Sequence, residues 1–197
     1  METQNDFILG ETKSGSRWLI RIIKSGLSGN HNYYSDEVLR KSAPLFERAR
    51  VFVKSDHEHL KGQGKDVRNI IGQIREISFV QGMSPDEGEL QGTLELISPN
   101  GEIASKIKEA WDKNMSNLFG FSIDAQGKTS TRRIGRHMAR VCNEITTVAS
   151  VDLIVEPGAG GQILNILESL EGQKMEHLNA TEMKSIISAS SLPQPAK

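Results

Sequence analysis

Leu118-Phe-Gly-Phe-Ser-Ile-Asp-Ala-Gln-Gly127 decides the fold, because its side-chain character alternates with the period of a β-strand. As a strand it puts Phe119, Phe121 and Ile123 on one face and Leu118, Gly120 and Ser122 on the other. The first face reads as core. Gly120, with no side chain, is expected to leave open space beside the Ser122 hydroxyl, and Asp124 to Gly127 to turn the chain and end the strand. Most strand serines do no chemistry, so Ser122 gains weight only from other segments.

Two segments supply it. In Ile145-Thr-Thr-Val-Ala-Ser-Val-Asp-Leu-Ile-Val155, Ala149, Val151, Leu153 and Val155 form an apolar face and leave Ser150 and Asp152 together on the opposite one. Pro157 ends this strand, and Gly158-Ala-Gly-Gly161 leads into what reads as a helix. Val51-Phe-Val-Lys-Ser-Asp-His-Glu-His59 starts as a strand and, if it stays extended, brings His57 and His59 out on one face. Serine, histidine and carboxylate at strand ends are the inventory of a nucleophilic hydrolase. A serine hydroxyl needs a base, and a neutral imidazole takes its proton near pH 7 while a carboxylate on the far ring nitrogen fixes the tautomer.

Outside these segments, strands are expected at about 17–24, 50–54, 71–80 and 89–97, the last two paired across a Gly/Pro-containing connection. Ser35 is the expected N-cap of one helix, with Asp36 and Glu37 suited to its first turn. A second helix follows Asn100-Gly-Glu, where Ile103, Ile107, Ala110 and Trp111 recur at helical spacing. The fold class is therefore α+β, a strand-rich body with helices around it. Ile163, Leu164, Ile166, Leu167 and Leu170 suggest an amphipathic helix, Ala180 to Ile187 a weaker one, and Ser188 to Lys197 a small-residue, proline-rich tail. The expected division is residues 1–161 as the main domain and 162–197 as a helical extension and linker.

Composition limits the function classes. The 197 residues carry a formal net charge of -1, which gives no general attraction to nucleic acid or acidic membranes. The single cysteine, Cys142, excludes an internal disulfide and a cysteine-based zinc site and suits a reducing compartment. No apolar run approaches the roughly 20 residues that span a bilayer, and the polar N-terminus does not read as a signal peptide. A soluble intracellular protein with no cofactor is the expectation.

The order of segments from about Trp18 to Gly161 resembles the prohead (capsid maturation) serine proteases of tailed phages, relatives of the herpesvirus assemblins. Gly29-Asn-His-Asn-Tyr-Tyr-Ser-Asp-Glu-Val-Leu39 is similar to that family's early loop and helix, and Asp56-His57 followed by Lys65-Asp-Val-Arg-Asn-Ile-Ile-Gly72 to its histidine region. Phe119 to Gly127 resembles the nucleophile strand, and Ser150 to Gly161 the late strand and glycine loop. The resemblance implies an assemblin-like β-barrel or sheet body and an endopeptidase that cleaves phage scaffold and major capsid protein. It also implies a homo-oligomer working in the host bacterial cytoplasm, inside the assembling procapsid.

Carried onto this chain, the resemblance makes Ser122 the nucleophile, His57 the base and Asp152 the orienting carboxylate. His59 is the alternative base, since Glu58 stands after His57 where many members have proline. Glu144 and His137 are alternative third members, because the family uses a carboxylate or a histidine there. Oxyanion donors are sought in Gly158, Gly160 and Gly161, with Arg132 and Arg133 adding charge if Thr131-Arg-Arg-Ile-Gly-Arg-His-Met-Ala-Arg140 is a loop that folds over the site. Ile187-Ser-Ala-Ser190 is similar to an assemblin cleavage sequence, which implies self-cleavage between Ala189 and Ser190. Two other readings stay open: a metal site in Asp56-His-Glu-His59, which lacks helical HExxH spacing, and a non-catalytic scaffold module with the protease fold.

Overall fold

The computed structural model describes residues 16–167, a mixed α+β body whose strands form one strongly curled, half-barrel sheet. The strands are β1 (Arg17–Lys24), β2 (Gly26–Leu27), β3 (Asn32–Tyr34), β4 (Arg50–Val53), β5 (Ile70–Val80), β6 (Glu89–Leu96), β7 (Gly120–Ile134), β8 (His137–Ile154) and β9 (Gln162–Leu167). Their order is β2-β3-β8-β4-β5-β6-β1-β9, with β7 paired to β8. The helices are α1 (Asp36–Ser42), α2 (Asp56–Leu60) and α3 (Glu102–Asp112).

Period-two patterning builds most of this sheet. Trp18, Ile20 and Ile22 of β1 are buried, and a pairing irregularity between Arg21 and Ile23 turns Ile23 inward as well. Leu90 and Leu94 of β6, Ile74 of β5, Val51 of β4, Phe121 of β7 and Val151 of β8 complete a core with no exposed surface. Two of the helices, α1 and α3, add an apolar side. Ser35 caps α1 by accepting from Val38 N–H, and Leu39 buries beneath it. Along α3, Ala104, Ile107 and Ala110 are buried, and Trp111 meets Trp18 edge-on at 6.0 Å.

Several expectations are corrected. β7 does not stop at Asp124–Gly127; it runs on to Ile134, because β8 offers a partner along its whole length. Gly127 is a close-approach glycine, since a Cβ there would lie 2.0 Å from Glu144 O. The basic stretch 131–140 is not a separate loop but the end of a long β7–β8 hairpin, turned at Gly135, whose φ of 57° suits glycine.

Residues 163–167 are strand, not helix. The doublets Ile163-Leu164 and Ile166-Leu167 fit either period, and β9 instead covers the open edge of β1. The boundary expected after Gly161 therefore falls inside the body, and Gly158–Gly161 leads into a strand rather than a helix N-terminus. Leu170, the expected helix from Ala180 to Ile187 and the tail lie outside the described residues. Among the described residues no helix is long and apolar enough to cross a membrane.

Candidate active site

β7 and β8 pair so that Ser122 lies directly opposite Asp152, and Asp124 opposite Ser150. Directly paired residues share a face, so the two hydroxyls and two carboxylates project together. The same register puts Phe52 of β4 beside Asp152, with Lys54 two residues further on that face. Asp152 thus stands in the middle of three strands and is fully buried, as is Ser150. Alternation places Asp152 away from Val151 as expected, but both faces of β8 are covered here, whereas Val155, expected in the core, is exposed.

The histidines arrive on a helix. Ser55 and Glu58 form a capping box, each side chain bonding the other's backbone N–H, and this winds 56–60 into one turn where an extended segment was expected. Residues two apart on a helix are separated by about 200°, so His57 and His59 cannot share a face. His59 Nδ1 meets Asp152 Oδ2 at 2.7 Å, while His57 is exposed. The expected preference for His57 is thereby corrected: His59 joins Ser122 and Asp152, and His57 does not. With Nδ1 on the carboxylate, Nε2 is the nitrogen left for a substrate proton.

Lys54 is the residue the sequence reading missed. Its side chain is fully buried, with Nζ 2.8 Å from Asp152 Oδ2 and 3.9 Å from Asp124 Oδ2, and Lys65 Nζ holds Asp124 at 2.8 Å from outside. Desolvation pushes the Asp152 carboxyl up, but the contacts from His59 and Lys54 and the Lys54 charge outweigh it and hold the group below its usual range. Asp152 is therefore an anion at neutral pH, fit to orient and stabilise an imidazolium. A lone lysine closing the apolar run Val51-Phe-Val was the available signal.

Two cavities meet at this point. One, of about 270 Å³, runs from Ser122 and His59 along β7 to Thr129, Arg140 and Cys142. The other, of about 410 Å³, runs from Ser122 and His59 to Asp56, Glu156 and Gly158. Among the described residues Ser122 Oγ has no hydrogen-bond partner, and Ser122 lines both cavities. Gly120 is not open space beside it: a Cβ there would lie 2.2 Å from Gly161 O, so the glycine admits the neighbouring chain.

The other candidates disperse. Glu144 pairs with Lys128 on the surface at 2.6 Å, and His137 sits against His31, ring centroids 5.8 Å apart. Arg132 and Arg133 lie ten and eleven residues beyond Ser122 on β7, paired with Ala139 and Met138. Of the glycines, Gly158 lines a cavity with Ser122, while Gly160 accepts from Arg21 Nε through its carbonyl and Gly161 packs against Phe121. Asp56 accepts from Glu156 N–H, Glu58 caps α2 and His59 meets Asp152, so three of the four residues in the Asp56–His59 cluster are committed to other contacts. Among the described residues no three His, Cys, Asp or Glu side chains are grouped to hold a metal. Ala189 and Ser190 lie outside the described residues. No protein-family model, curated protein or solved structure matches the chain.

Proposed function

We propose that this protein is a serine endopeptidase with Ser122 as nucleophile, His59 as base and Asp152 as the orienting carboxylate. The carrying observation is the 2.7 Å contact of His59 Nδ1 with a buried, ionised Asp152 that stands directly across the sheet from Ser122. Ser122 Oγ attacks the scissile carbonyl carbon as its proton passes to His59 Nε2; the tetrahedral intermediate collapses, and the imidazolium returns that proton to the leaving amine. Water then attacks the acyl-enzyme by the same route, giving a new carboxylate and free Ser122. Because the two cavities leave the serine in opposite directions, a chain can lie across it, which suits cleavage within a polypeptide.

The resemblance of the ordered segments to phage prohead proteases supports a substrate class of phage scaffold and major capsid proteins. It likewise supports an assemblin-like fold, self-association and work inside the assembling procapsid. Self-cleavage between Ala189 and Ser190 belongs to the same proposal.

The test compares wild-type protein and Ser122→Ala, each extended beyond Lys197, by fluorophosphonate labelling and mass spectrometry of the products. Labelling of Ser122 and fragments that vanish in Ser122→Ala are the expected result. Cleavage that persists in Ser122→Ala removes the mechanism, and a wild-type protein that neither labels nor cleaves favours a non-catalytic scaffold module. A new N-terminus at Ser190 supports self-cleavage there; an active chain that leaves that bond intact sinks it.

A further inference from the structure

We propose that Asn30 Nδ2 is a side-chain donor to the oxyanion, held in that orientation by a relay from Arg140 through Asn32; the inference rests on the serine endopeptidase reading. Asn30 lines both cavities that meet at Ser122 and His59. An amide side chain there serves as an oxyanion donor only if it presents nitrogen rather than oxygen, and the surrounding hydrogen bonds decide which.

A guanidinium can only donate. Arg140 Nε donates to Asn32 Oδ1 at 2.9 Å, which fixes the oxygen of Asn32 toward the arginine and its nitrogen away from it. Asn32 Nδ2 then donates to Asn30 Oδ1 at 3.1 Å, and Ser28 Oγ bonds the same oxygen. The oxygen of Asn30 is therefore taken, and its Nδ2 has no partner among the described residues. Reversing the Asn30 amide would set two NH₂ groups against each other.

The backbone holds this chain in place. Ser28 N–H donates to Asn32 O at 2.8 Å and His31 N–H to Ser28 O at 3.0 Å, closing a tight loop around Asn30. Gly29 N–H donates to Gly158 O at 2.8 Å, tying that loop to the glycine segment beside the catalytic groups. Arg140 N–H donates to His31 O at 2.9 Å, so the far end of the relay is anchored to the same loop. A donor fixed before the reaction costs no reorganisation when negative charge develops on the carbonyl oxygen. Asn30 is a catalytic residue in this scheme, and Asn32 and Arg140 are positioning residues.

The test measures kcat and KM for a peptide that the wild-type protein cleaves in a Ser122-dependent way, in Asn30→Ala, Asn30→Asp and Asn32→Asp. Removal of the donor in either Asn30 variant should lower kcat by about 10²–10³-fold with little change in KM. Asn32→Asp keeps the acceptor for Arg140 but turns a second oxygen toward Asn30, which must then donate Nδ2 to it and away from the substrate. Its loss in kcat should be comparable, and the Asn30→Ala/Asn32→Asp double variant should be no slower than Asn30→Ala alone. Unfolding midpoints of the two isosteric Asp variants check that the fold persists. Asn30→Ala or Asn30→Asp retaining kcat within a few-fold, while Ser122→Ala abolishes it, overturns the proposal and leaves the endopeptidase standing. Multiplying losses in the double variant overturn the relay. Cleavage independent of Ser122 removes the endopeptidase reading itself, and this inference with it.

Discussion

The two ends of the β7–β8 pair obey the same hydrogen-bonding pattern and differ in almost everything else. At the Ser122 end, β8 lies between β7 and β4, and Ser150, Val151 and Asp152 are fully buried. At the Gly135 end the ribbon stands largely free, with Arg132, Arg133 and Arg136 exposed and no carboxylate paired to them among the described residues. Charge at the first end is desolvated and must be matched; charge at the second is screened by water. The comparison teaches that a strand pair holds buried, matched charge where a third element shuts water out.

The largest effect expected at the buried end is catalytic. His59→Ala should lower the cleavage rate by on the order of 10³-fold or more, while His57→Ala, on the exposed side of α2, should change it only a few-fold. Steady-state kinetics of the two variants decide this, and the reverse ranking would return the base to His57.

Next comes the cost of removing the cation that faces a buried carboxylate. Lys54→Ala removes the buried cation beside Asp152 and leaves the carboxylate with the His59 contact, and should cost about 3–5 kcal/mol in urea unfolding, whereas a loss near zero would mean that His59 or water compensates the charge. The same pairing has a pH signature. Asp152 ionises more readily folded than in its ordinary range, so its share of stability is present above about pH 4 and is lost as pH falls through the lower folded value. Acid unfolding of Asp152→Asn should lack that share, and a limb identical to wild type would place the acid sensitivity elsewhere.

The glycines sharpen the contrast further. Gly120→Ala would force a Cβ within 2.2 Å of Gly161 O and 2.7 Å of Pro157 Cγ, an overpacking cost of about 1–3 kcal/mol. Gly135→Ala meets nothing within 4 Å and should cost only about 1 kcal/mol, through its positive φ. Equal unfolding midpoints for the two would erase the distinction between a glycine required by space and one required by backbone angle.

The smallest effect belongs to the surface pair Lys128–Glu144. Replacing Glu144 by Gln should leave both the unfolding midpoint and the cleavage rate unchanged, since the pair is exposed and far from Asp152 in sequence register. A loss of cleavage would reopen Glu144 as the third catalytic group.

Local structure that depends on alternation and capping can be read from the residues alone. Strands β1, β4, β5 and β6, the Ser35 cap, the apolar face of α3 and the isolation of Ser122 and Asp152 from their apolar neighbours were all legible, because near-neighbour spacing encodes them. His57 against His59 was not legible from an assumed extended segment, although Ser55 and Glu58 held the capping-box signal that winds it. Features that depend on which strands meet emerge from the packed sheet. Ile163 to Leu167 became a strand because β1 had an open edge, and β7 ran past Asp124 because β8 matched it. Lys54 became part of the site because β4 lies parallel to β8, a pairing between residues about one hundred positions apart that no local pattern records. Burial gave that lysine its meaning: in water it is one solvated cation among many, and between Asp152 and Asp124 it is the counter-charge that lets a carboxylate stay ionised inside the protein.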